Sequence, residues 1–202
     1  MAFRVNQRHI TGLKVAIHLI ASGLLIWTFW LGVTDQLGGD PVEALIHFSG
    51  IGAFNLLLLT MLVSPLAKWL KQGALLNVRR MLGIYVFVYA LAHVLSYWLF
   101  DLLGDVNAFI EDIIERPYIT VGMTAFVLLL LLTITSPMAI RRKMKARWQS
   151  LHNTIYLAVL LVGLHFIWSV KSEIIEPGIY IALSLLLLVA RWDKLKRMIR
   201  KR

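Results

Sequence analysis

Six long apolar stretches, separated by short polar connections, run through the chain. We place them near 13–33, 42–64, 80–100, 118–137, 151–170 and 177–191. A helix needs about 20 mostly apolar residues to cross the hydrocarbon core of a bilayer, and each stretch approaches that length, the last being the shortest. The pattern therefore predicts an all-α integral membrane protein, a bundle of six helices that forms a single domain over residues 1–202.

Proline and acidic residues mark where several of these helices begin and end. Asp40 followed by Pro41 is typical of a helix start, because the acid caps the free backbone N–H groups and proline suits the first helical position. Pro117 begins the fourth span in the same way. We expect Pro65 and Pro137, each preceded by a serine, to stand where the second and fourth spans stop, since proline has no N–H to donate within a helix.

The charged residues divide between two sets of connections. All but two of the 21 basic residues, Arg116 and Lys171, fall in the N-terminal segment, the second and fourth connections and the C-terminal segment. All but one of the 11 acidic residues, Asp193, fall in the remaining connections. We name the two ends of the bundle the basic end and the acidic end accordingly. Short basic loops stay in the cytoplasm, so both termini are predicted to be cytoplasmic.

The composition agrees with a membrane protein and narrows its chemistry. Hydrophobic residues make up 59% of the chain, the mean hydropathy is +0.74, and the net charge is +10. Such an apolar chain cannot present its helices to water beside a polynucleotide, so the charge indicates membrane orientation and excludes nucleic acid as a partner. The chain contains no cysteine. A bound metal must therefore be held by histidine or carboxylate.

An internal repeat relates helices two and three to helices four and five at a constant offset along the sequence. Ser64 and Pro65 match Ser136 and Pro137, and the same offset matches His93 with His165. The two histidines therefore occupy equivalent positions at the same depth, about 20 Å from the basic end. Two imidazoles at matched depth on facing helices can supply both axial ligands of a haem iron.

Three other histidines are weaker candidates. His152 lies near the basic end, where the repeat places Arg80 in the first hairpin, so His152 is a ligand candidate without a matching histidine. His18 lies in the basic half of the first span and is expected to pack helices, with partnership to His152 or contact with a quinone head group as alternatives. His47 lies one turn into the second span, near Gly50, which allows another helix or a flat ligand to approach.

Several motifs in these spans resemble a known family. They are the runs Arg79–Gly83, Trp148–Asn153 and His165–Lys171, together with the helix starts at Asp40 and Arg116. Over nearly its whole length the chain is similar to MsrQ, formerly YedZ, the haem-binding membrane subunit of the bacterial MsrPQ system for periplasmic methionine sulfoxide reduction. The resemblance implies a ferric-reductase-like transmembrane domain with one or two b-type haems and FMN, embedded in the bacterial inner membrane.

The resemblance also implies an electron path. Electrons would pass from the membrane quinone pool to MsrP, the periplasmic molybdopterin subunit that reduces methionine sulfoxide and so supports the repair of oxidised proteins. Since two imidazoles leave little room at a haem iron for substrate, this chain is expected to transfer electrons, and the sulfoxide chemistry is expected on the partner. Two alternatives stay open: a transmembrane ferric or other metal reductase, and a haem-free membrane scaffold whose histidines pack helices.

The family's haem-linked histidines fall on His93, His152 and His165 of this sequence. Ferric-reductase-like relatives with four histidine ligands have a further ligand near the position of Arg79 or Arg80. The resemblance therefore implies that one of these arginines replaces a ligand. A guanidinium there could contact a haem propionate or a flavin phosphate, both of which are anionic and suit its fork of donors.

Overall fold

The computed structural model describes residues 6–170 and 173–199, with side chains described up to residue 196. Every regular element in these ranges is helical, as predicted. The helices are α1 (Gln7–Val33), α2 (Pro41–Trp69), α3 (Arg79–Ser96), α4 (Val106–Glu115), α5 (Pro117–Ile134), α6 (Met138–Met144), α7 (Ala146–His152), α8 (Ile155–Ser169), α9 (Ile175–Val189) and α10 (Trp192–Ile199). A 3-10 turn at Gly73–Val78 leads into α3, and a π turn at Tyr97–Asp101 extends it.

Five segments of the described chain are long and apolar enough to cross a membrane: Gln7–Val33, Pro41–Trp69, Gly73–Asp101, Pro117–Ile134 and Ala146–Ser169. They correspond to the first five predicted spans, and the all-α membrane bundle is confirmed. The sixth predicted span corresponds to α9, an apolar helix of 15 residues. Its rise of about 22 Å is short for a crossing. The assignment of the whole chain to one domain stays a prediction.

Two helical hairpins form the centre of the bundle. The most extensive packing is between α2 and α3, and the next is between α5 and α8, which are the two halves of the predicted repeat. Helix α3 also contacts α5, and α9 packs against α8. The buried core is apolar and includes Phe54, Leu57, Val86, Leu129 and Val159. Helix α1 lies at the periphery, where only Ile10 and Ala21 of its residues are buried.

The start of α2 is as predicted, because the side chain of Asp40 accepts a hydrogen bond from the backbone N–H of Glu43 at 2.9 Å. The start of α5 at Pro117 is also as predicted. Pro137 follows the end of α5 at Ile134, which again agrees with the sequence. The residues beside these three helix boundaries were therefore sufficient to predict them from the sequence.

The predicted end of the second span at Pro65 is wrong, since α2 continues through this proline to Trp69. Pro65 has no N–H, so it leaves the carbonyl of Met61, four residues earlier, without its usual helical donor. Arg191, just beyond α9, donates to that carbonyl from Nη2 and to the Tyr156 hydroxyl from Nη1 at 3.4 Å. A side chain from a distant part of the chain thus replaces the missing backbone hydrogen bond.

Arg191 belongs to the basic C-terminal segment by sequence, yet it is only 6% exposed in the structure. Replacing it with alanine is expected to lower the free energy of unfolding by about 2 kcal/mol, because the Met61 carbonyl then stays buried without a donor. Denaturation followed by circular dichroism in detergent measures this change. Adding Pro65→Ala should restore part of the stability, because alanine at this position brings an N–H that can bond to the same carbonyl.

Arg142→Ala is the matched control, because Arg142 lies on an exposed part of α6 at the same end of the bundle. It should leave the denaturation midpoint unchanged. If Pro65→Ala gives no recovery in the Arg191→Ala background, the loss of stability does not come from the Met61 carbonyl.

The acidic end carries α4, a helix that the hydrophobic pattern does not predict. The Asp105 side chain caps its first turn by accepting two backbone hydrogen bonds. Asp112 of α4 is buried and accepts a hydrogen bond from the Tyr97 hydroxyl, and it also pairs with Arg116 at 2.8 Å. These contacts tie α4 to the end of α3 and to the start of α5.

Candidate functional site

The side chains of His93 in α3 and His165 in α8 meet between the two hairpins. Their ring centroids are 6.1 Å apart, and the ring planes are nearly perpendicular, at 83°. Both side chains are half-buried. The sequence places the two histidines at the same depth, and the structure brings their rings together.

Each of the two imidazoles is oriented by a main-chain carbonyl. His93 Nδ1 lies 2.9 Å from the carbonyl oxygen of Ile46, and His165 Nδ1 lies 2.8 Å from that of Tyr118. A carbonyl can only accept, so Nδ1 carries the hydrogen in the neutral ring and donates it. The lone pair is then on Nε2, which is the arrangement found in histidines that ligate metals. Ile46 and Tyr118 are themselves separated by the repeat offset, so the repeat extends to these hydrogen bonds.

Two glycines make room for the rings. A Cβ atom on Gly122 would come within 2.7 Å of His165 Nδ1, and one on Gly50 would come within 3.0 Å of His93 Nδ1. These glycines are again separated by the repeat offset. Gly50 was a candidate from the sequence and Gly122 was not, although the repeat offset applied to Gly50 gives Gly122 directly. Any side chain at Gly122 would displace the imidazole.

The donor set of the paired histidines fits a haem iron, because each ring has Nε2 free to bind a metal. Metal–imidazole bonds are about 2 Å long, so two rings that shared one iron would lie close together, and the observed centroid separation of 6.1 Å is compatible with this. Ser96 Oγ and Trp98 Nε1, within two turns of His93, are buried without hydrogen-bond partners in the described chain. Such atoms can bond to polar groups of a bound cofactor.

His152 lies in a separate environment near the basic end. Its ring stacks on Trp148 with centroids 3.8 Å apart, and its Nε2 is 3.0 Å from the Thr135 hydroxyl. The Trp148 indole N–H donates to the Thr135 carbonyl at 2.9 Å, and the guanidinium of Arg141 lies over the indole ring. His152 is the last residue of α7, and His165 lies far along α8, which begins at Ile155. The structure does not bring His152 to the histidine pair.

The structure separates the two arginines that the sequence could not distinguish. Arg79 is half-buried and lies within electrostatic range of His152, Arg191 and Tyr156. Arg80 is exposed and lines a cavity between α1 and α3. Arg79 is therefore the arginine of the two whose charge acts on His152. Sequence reasoning missed Arg191, because nothing in a basic C-terminal segment indicates burial.

The remaining candidate histidines lie outside the pair. His47 is exposed at the acidic end, with Nε2 3.8 Å from a carboxylate oxygen of Glu176. The ring next to Gly50 is that of His93, so this glycine allows a helix to approach. His18 Nδ1 lies 2.7 Å from the Tyr85 hydroxyl, in the cavity that Arg80 also lines.

The fold and the paired histidines are those of a membrane-spanning helical protein, and the chain falls in the ferric-reductase-like transmembrane class. The family described as "Ferric reductase like transmembrane component" matches residues 49–163. The chain is 42% identical over 195 residues, covering 96% of this chain and 98% of each relative, to proteins from Salmonella paratyphi B, Salmonella heidelberg and Salmonella typhimurium. Each is named "Protein-methionine-sulfoxide reductase heme-binding subunit MsrQ". The chain belongs to the MsrQ family. No solved structure matches it.

Proposed function

We propose that the chain binds haem b between His93 and His165 and serves as the membrane electron-transfer subunit of a methionine sulfoxide reductase system. The observation that carries this proposal is the pair of facing imidazoles, each with Nδ1 bonded to a main-chain carbonyl. Haem bound there would supply one-electron reduction and oxidation of iron. The names of the family members support the same cofactor.

The protein's own residues hold and orient the ligands. The Ile46 and Tyr118 carbonyls keep both Nδ1 atoms protonated, and Gly50 and Gly122 let the rings approach their helices closely. Haem held between two imidazoles would have no open position at its iron for a sulfoxide. The chain therefore acts as a relay, and MsrP, the proposed periplasmic partner, reduces the substrate.

The charge distribution supports a direction for the relay. With the basic end in the cytoplasm, the protein sits in the bacterial inner membrane and the acidic end faces the periplasm. His93 bonds to the carbonyl of Ile46, which lies in the second turn of α2, close to the acidic start of that helix. Electrons from membrane quinol are thus delivered near the surface where a periplasmic partner docks.

The basic end offers a place for anionic cofactor groups. Arg79 and Arg191 lie within electrostatic range of each other, and Arg191 Nε has no hydrogen-bond partner in the described chain. Guanidinium groups favour phosphate and carboxylate oxygens. We assign to Arg79 contact with a haem propionate or with the phosphate of FMN, and His152 is the candidate ligand of a second haem. Arg80, which lines the cavity between α1 and α3, is not needed for either contact.

Electron delivery is tested with the haem-loaded chain, reduced with dithionite and freed of excess reductant. Mixing with MsrP and methionine sulfoxide is expected to reoxidise the haem rapidly, as followed by the Soret and α bands, since the partner supplies an electron acceptor. A ferric chelate without MsrP is the comparison, and MsrP without methionine sulfoxide is the control for partial turnover.

The outcomes separate the alternatives. Equally fast reoxidation by the ferric chelate alone would indicate a metal reductase. A protein that takes up no haem during reconstitution, and so shows no Soret band, would indicate a membrane scaffold.

A further inference from the structure

A cavity of about 610 Å³ lies between α1 and α3, outside the histidine pair. Its volume is within the range of small-molecule sites, which is about 300–1,000 Å³. One wall is apolar and includes Met81, Ile84 and Val88 of α3. Helix α1 forms the other wall and is buried over only a small part of its length, and the cavity is open to the outside of the bundle.

Polar groups lie at two levels in this cavity. Lys14 and Arg80 stand near its basic end, where the helices leave the membrane. Tyr85 is five residues beyond Arg80, about 7 Å deeper, and its hydroxyl lies 2.7 Å from His18 Nδ1. The cavity therefore has charged residues at its basic end, an apolar wall, and an imidazole–phenol pair deeper inside. These features suit an amphipathic ligand with oxygen atoms on a ring.

The hydrogen bonding of this pair leaves one nitrogen available. The Tyr85 hydroxyl can donate to the His18 carbonyl, 3.5 Å away, while it accepts from His18 Nδ1. In that arrangement Nε2 of His18 keeps its lone pair, and it has no partner in the described part of the chain. An exposed imidazole nitrogen within a bilayer is costly, because lipid offers it no hydrogen bond. A lipid-soluble ligand with a hydroxyl group would satisfy it.

We propose that this cavity is the quinol oxidation site, with His18 Nε2 accepting the proton of a quinol hydroxyl and Tyr85 fixing the imidazole. This deepens the proposed function and rests on quinol being the electron donor. Oxidation of one quinol breaks two O–H bonds and gives one quinone, two protons and two electrons. Haem held by His93 and His165 would accept the two electrons one at a time, and His18 passes the protons to the basic, aqueous end.

The cavity is connected to the histidine pair through α3. Tyr85 and His93 are eight residues apart on this helix, or about 12 Å along its axis. Between them, the buried Tyr89 donates a hydrogen bond to the Ala21 carbonyl of α1 at 2.7 Å. This contact fixes α1 to α3 on the side of the cavity nearest the haem ligands. Helix α3 therefore contributes one residue to the proposed quinol site and one to the histidine pair.

The test uses the full haem-loaded chain in nanodiscs of phosphatidylcholine, with decylubiquinol as donor and stopped-flow detection of the ferrous Soret band. His18→Phe is expected to slow quinol-driven reduction by about 100-fold, since it removes the proton acceptor. Tyr85→Phe is expected to slow it by about tenfold, the value of one hydrogen bond. Reduction by dithionite and the Soret band should be unchanged in both variants.

Tyr180→Phe is the matched control, because it also removes a tyrosine hydroxyl, one that bonds to Asn55 outside this cavity. It should be reduced by decylubiquinol at the rate of the unmodified protein. A second readout needs no electron transfer: a photoreactive azidoquinone should label peptides around His18 or Tyr85, unlabelled quinone should compete, and His18→Phe should lose the label.

The outcomes distinguish the site from the proposed function. If decylubiquinol reduces all variants equally and labelling falls elsewhere, the cavity is refuted while quinol stays the donor. If decylubiquinol does not reduce the unmodified protein although dithionite does, quinol donation fails, and labelling still decides whether quinone occupies the cavity. If phosphatidylglycerol reduces the azidoquinone labelling and unlabelled quinone does not, Lys14 and Arg80 bind an anionic lipid. This outcome would overturn the inference.

Discussion

Alanine in place of His93 or of His165 is expected to abolish the low-spin Soret contribution of the haem b proposed to lie between these two residues. Each substitution removes one of the two proposed ligands, and the ring that remains would not hold an iron in a low-spin, six-coordinate state. Absorption spectra of the purified variants, normalised to protein, measure the loss. Added imidazole should restore part of the band, because a free ring can enter the space that the side chain left.

His47→Ala is the control, since this histidine lies at the same end of the bundle but is exposed and pairs with Glu176. It should keep a full Soret band. An unchanged spectrum in both the His93→Ala and the His165→Ala protein would refute the ligand assignment and would leave His152 as the remaining candidate.

Alanine at Gly122 is expected to remove most of the bound haem, although it adds one methyl group and no charge. The new Cβ would lie 2.7 Å from His165 Nδ1 and 3.1 Å from Cγ, so the ring must move. The displaced His165 ring would then lose its hydrogen bond to the Tyr118 carbonyl. Haem content per protein and the midpoint potential measure the effect. Gly50→Ala should be milder, because its Cβ would lie 3.0 Å from His93 Nδ1.

Gly83→Ala gives the matched control within α3. A Cβ at this position meets nothing within 4 Å, so the substitution changes only helix propensity and should favour the helix by up to about 1 kcal/mol. Full haem content in Gly122→Ala, at the level of Gly83→Ala, would show that the imidazole has more room than the structure gives it.

The spans and the depth of the histidine pair could be predicted because the membrane imposes simple rules on sequence. Apolar length locates a helix, and basic loops locate its cytoplasmic end. The repeat offset then equates His93 with His165. The same offset applied to Gly50 would have identified Gly122, so this part of the site was accessible from sequence.

Other parts of the site could not be predicted, for physical reasons. The acceptors at Ile46 and Tyr118 are main-chain groups, and every residue has one, so no residue type indicates them. The continuation of α2 through its internal proline is accompanied by a hydrogen bond from Arg191, which is far along the chain from the carbonyl that it bonds. Arg79 and Arg80 are neighbours in sequence, so the sequence cannot tell their environments apart. In the structure the charge of Arg79 acts on His152, whereas Arg80 lines the α1–α3 cavity.

The carbonyl acceptors at Ile46 and Tyr118 have a consequence for how the site can change during evolution. An aliphatic and an aromatic residue perform the same task at equivalent positions, because neither side chain takes part in the hydrogen bond. Substitution at either position leaves the acceptor in place as long as the helix persists. Most substitutions at Ile46 and Tyr118 should therefore leave the orientation of the two imidazoles unchanged. Substitutions at Gly50 and Gly122 should disturb it, because a Cβ atom there would meet the rings.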